Sequence, residues 1–100
     1  MPDNLENLTV DVFESRVGER FRIRSQPGRE LEAELIEARA LGKAAGGRRV
    51  PFTLSFRTPQ LAALPQAIYG VTHDEIGSYD IFLVPVGPDG EGMVYEAIFT

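Results

Sequence analysis

The chain has no cysteine, which removes disulfide bridges, thiolate metal sites and cysteine nucleophiles at once. Stability is left to packing alone, and the redox compartment stays open. Histidine is nearly absent: His73 stands alone. It would have to serve Ser15, Ser25, Ser55 or Ser78 as base, and none of these serines lies in a strand-turn-helix elbow. No apolar run approaches the roughly 20 residues that cross a bilayer. The start, Met1-Pro2-Asp3-Asn4, has neither a basic cluster nor an apolar segment for secretion. The expectation is a cytoplasmic protein without a membrane partner, unless it is exported within a larger assembly.

Bases are missing from both ends. Residues 1–15 hold four acids and no Lys or Arg, residues 16–57 hold all ten bases with five acids, and residues 58–100 hold six acids and no base. The total of −5 therefore conceals a basic middle between acidic ends. Net acidity opposes the long-range attraction that nucleic-acid binders use, so nucleic acid is not an expected partner.

What is present suits one soluble domain. One hundred residues build one core, and 43% hydrophobic with 25% charged residues is a globular composition. The expected domain spans residues 1–100, with 1–7 as a loose lead-in. Val10, Phe13 and Val17 follow helical spacing, with Thr9 as cap and Gly18 after the last turn, and this predicts a helix over Val10 to Val17.

Strand signals follow. Glu19 to Ser25 and Glu30 to Leu35 flank Gln26-Pro27-Gly28. Pairing Arg24 with Glu30, Arg22 with Glu32 and Arg20 with Glu34 makes one face a charged ladder, while Ile23 meets Leu31 and Phe21 meets Ala33 on the other. The second strand changes parity at Ile36, which predicts a bulge or a strand buried on both faces before it ends near Arg39. Gly42 to Arg49 breaks all periodicity and reads as an exposed loop.

Val50, Phe52, Leu54 and Phe56 then alternate with Pro51, Thr53, Ser55 and Arg57 as a strand buried on one face. Pro51 places it at an edge or marks its first residue. Thr58 to Gln66 is apolar enough to plug one end of a core. Ile68 to His73, the turn Asp74 to Gly77, and Ser78 to Val86 form a hairpin. A second hairpin joins Ile81 to Val86 with Met93 to Phe99 across Gly87 to Gly92. With no room for crossover helices, the expected fold is mainly β: an antiparallel sandwich or small, partly open barrel of about six strands with one short N-terminal helix.

Residues that could carry chemistry are few. His73 adjoins Asp74 and Glu75, with Asp80 across the turn, but strand neighbours point to opposite faces and zinc needs at least three converging ligands. Asp89 and Glu91 lack the spacing and helices of a calcium loop. Arg48 and Arg49 could meet a phosphate, although Lys43 begins its glycine loop instead of ending it. Tyr69, Tyr79 and Tyr95 fall on strands, where rings are buried and hydroxyls sit at the rim, or where they could form a small-molecule or glycan platform. No catalytic residue, metal or cofactor is expected.

Leu64-Pro65-Gln66, Ile68-Tyr69, His73, Ile76-Gly77, Ile81 to Gly87 and Tyr95 to Phe99, together with Phe13 to Gly18 and Phe21-Arg22-Ile23, resemble a family of uncharacterised bacterial domains of about this length. The likeness covers nearly the whole chain and consists mostly of core and turn residues. It implies no activity. Such domains are encoded beside proteins similar to phage tail-collar and tail-fibre components, which implies a structural or accessory role. The expectation is a non-enzymatic interaction module with a protein partner, and edge strands that could also pair copies of the chain.

Overall fold

The computed structural model describes residues 5, 8–43, 46, 49–60 and 63–100. A short helix, α1 (Val10–Glu14), precedes six strands: β1 (Arg20–Gln26), β2 (Arg29–Ala40), β3 (Phe52–Thr58), β4 (Ala67–His73), β5 (Gly77–Pro88) and β6 (Met93–Phe99). All pairings are antiparallel, and the strands close in the order β1-β2-β3-β6-β5-β4. Two meanders, β1-β2-β3 and β4-β5-β6, thus join along β3–β6 and β1–β4. The fold is the expected mainly β one, six antiparallel strands with one short N-terminal helix, in its small-barrel rather than its sandwich form; the barrel is closed, so the free edge strands expected for pairing copies are absent among the described residues.

Closure depends on two long strands that each serve two neighbours. β2 pairs with β1 over its first part and with β3 over its last, and β5 divides itself likewise between β4 and β6. Each carries an irregularity near its corner, at Ile36 between Leu35 and Glu37 and at Val86 between Pro85 and Gly87. A bulge adds a residue and increases the local twist, which lets a flat ribbon turn a corner. The parity slip in the sequence at Ile36 is that corner.

The first hairpin keeps the predicted register, Arg20 opposite Glu34, Arg22 opposite Glu32 and Arg24 opposite Glu30. The ion pairs run diagonally instead. Arg20 Nη1 reaches Glu32 Oε2 at 2.7 Å, and Arg22 Nε reaches Glu30 Oε1 at 4.0 Å. Strand twist brings diagonal neighbours within reach of long side chains. Glu34 turns away to Arg57, at 3.6 Å.

Alternate residues fill the interior: Phe21, Ile23, Leu35, Leu54, Phe56 and Leu83 are all buried. One end is closed by α1, whose buried Phe13 lies 6.0 Å from the Phe52 ring and 6.3 Å from those of Phe21 and Phe99. At the other end Leu64 packs on the core, and its N–H donates to the Tyr95 hydroxyl at 2.8 Å. Within the expected plug, Thr58 is also buried while Ala63 is exposed; Leu61 and Ala62 lie outside the described residues.

Two elements depart from expectation. The helix stops at Glu14, and Val17 is exposed. The Thr9 hydroxyl donates to the Asp11 carboxylate rather than accepting a backbone N–H, so it caps nothing. One turn of helix is marginal without packing, and only Phe13 supplies a fully buried anchor. β3 begins at Phe52, just after Pro51, and it is buried on both faces, Thr53 and Ser55 included.

Candidate functional site

The candidate residues fall into three places. Tyr69 and Tyr95 are buried in the barrel wall with their hydroxyls on the backbone of the 59–66 connection: Tyr69 donates to Pro65 O, and Tyr95 accepts from Leu64 N–H. Burial raises the Tyr69 phenol above its ordinary value, with the nearby Tyr95 adding to the effect. The Tyr79 hydroxyl donates to Ile76 O at 3.1 Å. The three rings therefore hold loops and turns in place, and they form no exposed ligand platform.

Arg49, expected as half of a phosphate contact, is an internal clamp. Its Nη1 donates to Leu5 O and Leu8 O at 2.7 Å each, its Nε donates to Thr100 O at 3.1 Å, and its guanidinium lies 5.5 Å from the Phe99 ring centre. Five donors in a fixed fork suit it to gather carbonyls from two chain segments. Arg48 lies outside the described residues.

His73 sits at the α1 end of the barrel, buried, with its ring 4.6 Å from that of Phe21. Its partner is not the adjacent acids but Glu19, 54 positions away, at 2.7 Å from Nε2. The Glu75 N–H donates to Nδ1 at 3.1 Å, so the neutral ring carries its proton on Nε2 and donates it to Glu19. Asp74 turns outward to Arg22 at 2.8 Å, and this hydrogen bond, with the charge beside it, holds the Asp74 carboxyl below the usual range. Glu75 accepts from Arg16 at 2.6 Å.

Glu19, His73 and Glu75 offer ligand atoms within 4.8 Å of one another, the spacing of a small metal site. The polarity of the group argues otherwise. Arg16 already lies between the two carboxylates, 3.6 Å from Glu19 and 2.6 Å from Glu75. A metal on Nε2 would also require the proton on Nδ1, where the Glu75 N–H points. The cluster is an ion-pair rim that pins the β4–β5 turn to the α1–β1 loop.

The third place is the outer wall of β4-β5-β6. Ile68 is 67% exposed and stands directly opposite Phe82, 50% exposed. Val84 stands opposite Glu96. On β6, Ile98 is 62% exposed and lies two residues beyond Glu96. Three large apolar side chains are thus exposed on three successive strands, Ile68 and Phe82 directly paired, with Val86 also exposed at the bulge. The sequence signal for this wall was the unbroken apolar run Ile81 to Val86. A strand facing water on one side alternates; one that does not has a second apolar face. Glu19 left no comparable signal, because its partner comes from the far side of the closure.

Residues 8–99 match the model of a family described as a domain of unknown function, DUF6916. Comparison with curated proteins and with solved structures finds no match.

Proposed function

The chain belongs to this family of domains of unknown function, and we propose that it is a non-enzymatic protein-interaction module that docks through the β4-β5-β6 wall. The observation that carries this reading is the exposure of Ile68, Phe82 and Ile98 on three successive strands of a barrel whose interior is filled by side chains. Large apolar side chains left exposed together on one wall mark interaction sites on soluble domains. Because the barrel is closed, the partner meets side chains on a wall rather than adding a strand to an edge. The resemblance to bacterial domains encoded beside tail-collar-like proteins supports an accessory role in a tail-like or surface assembly. The protein is made in the cytoplasm and acts there or within that assembly; no helix among the described residues is long and apolar enough to cross a membrane.

Affinity capture from the native host tests this reading. The wild-type chain should retain a specific protein that the double variant Phe82→Ser, Ile98→Ser loses while keeping its circular dichroism spectrum. Recovery of background proteins alone, or equal capture by both, would sink it.

A further inference from the structure

Resting on that reading, we infer that the partner presents a basic, amphipathic segment whose apolar residues cover Ile68, Phe82 and Ile98 and whose Lys or Arg meets Glu96. Glu96 is half-buried on β6, between Val94 and Ile98 along its own strand, opposite Val84 on β5 and Ser55 on β3. Its carboxylate makes no ion pair and no hydrogen bond with a described residue, whereas the acids of the first hairpin and of the turns around it are largely engaged by arginines. A carboxylate set among apolar side chains becomes costly when a partner removes its water, unless the partner brings a cation.

The wall supplies no such cation. Residues 58–100 contain no Lys or Arg. Of the flanking strands, β3 offers Arg57, already held by Asp89 at 2.8 Å and Glu91 at 3.3 Å. β1, which borders β4, offers Arg24 opposite Gly70, and beyond β3 lies Arg39 of β2, opposite Thr53 and so two strands away from Ile98. Asp80, the wall's other outward acid, lies across Gly70 from Arg24. Asp80 thus has a base in register two strands away, whereas Glu96 faces Val84 on one side and Ser55, then Glu37, on the other, with no base in register.

The same charges exclude the simplest alternative occupants. A two-fold dimer through this wall would set acidic walls face to face with no base between them, a like-charge arrangement that opposes association. An anionic lipid surface is repelled for the same reason. What remains is a protein surface that is apolar and basic, recognised through side chains.

The test uses the folded chain and two synthetic amphipathic helices of equal length, one of Leu and Lys and one of Leu and Glu. The Leu/Lys helix should shift the amide resonances of β4, β5 and β6 and spare those of β1. Phe82→Ser should weaken it by about tenfold or more, a change of about 1.4 kcal/mol. Glu96→Gln should weaken it less, and Glu96→Lys should reverse the preference toward the Leu/Glu helix. Both are surface positions, and an unchanged circular dichroism spectrum checks folding. Equal binding of the two helices, no binding of either, or binding to phosphatidylcholine vesicles that ignores Glu96 would each overturn the inference. Its failure is separable from that of the interaction reading. If Glu96→Lys leaves native capture intact while Phe82→Ser, Ile98→Ser abolishes it, only the basic partner falls; if neither variant matters, both fall.

Discussion

Thr53 shows how a single position can disagree with its surroundings. It lies on the outer side of β3, opposite Arg39 and Ile98, yet only 4% of it is exposed and its hydroxyl has no partner. A buried hydroxyl without a hydrogen bond forfeits its water and gains nothing in return, at a cost on the order of 1–3 kcal/mol. Thr53→Val keeps the β-branched shape and removes the orphan atom. We expect the denaturation midpoint of Thr53→Val to stay level or rise; a fall of more than about 1 kcal/mol would mean that the hydroxyl is bonded. The sequence placed Thr53 on the solvent side of an alternating strand, and that reading had the direction right and the burial wrong. Alternation reports where a side chain points, while burial depends on what neighbouring strands lay over it.

Among the elements, the β5–β6 turn is held by several bonds at once. Asp89 accepts the Glu91 N–H at 3.0 Å, its own N–H donates to Gly92 O at 3.1 Å, and its carboxylate takes Arg57 Nε at 2.8 Å. Those bonds, the backbone N–H first and the guanidinium second, hold the Asp89 carboxyl below the usual range. Gly92 is needed for a different reason from most turn glycines. A methyl group there would stand 1.9 Å from Thr58 O, so the backbone of β3 or of the turn would have to move. Gly92→Ala should destabilise by more than about 1 kcal/mol, read from the urea midpoint, and an unchanged midpoint would refute the close approach. The hairpin itself was legible as a Gly/Pro/Asp cluster between two apolar runs. The need for glycine at 92 was not, since it arises from β3, which is 34 positions away at Thr58.

For the whole molecule, acid stability follows from two turns anchored to the opposite meander. Asp74 at the β4–β5 turn holds Arg22 of β1, and Asp89 at the β5–β6 turn holds Arg57 of β3. Both carboxyls titrate lower folded than unfolded, so their contribution is complete above the unfolded aspartate value near 4 and is lost as pH falls through the lower folded values. The pairs are exposed and screened, so the effect is modest and should shrink further in salt. We expect the urea midpoint to fall more gently below pH 4 in Asp74→Asn, Asp89→Asn than in the wild type. Parallel acid limbs would show that the two pairs contribute nothing.

Period-two hydrophobicity, glycine and proline punctuation and the Arg/Glu ladder are local, so the six strands, the first hairpin's register and the parity slip at Ile36 could be read along the chain before any contact was known, although the choice of a bulge there over a doubly buried strand was left open. Closure could not. Whether β1 meets β4 depends on twist accumulated around all six strands and on corners at Ile36 and Val86, and no short window holds that sum. The site followed the same division. His73 was visible as a lone imidazole, but its pairing with Glu19 exists only because closure brings the end of β4 beside the start of β1. Likewise the run Ile81 to Val86 announced an apolar strand, and only the barrel decided which of its residues face the core and which, with Ile68 and Ile98, face outward.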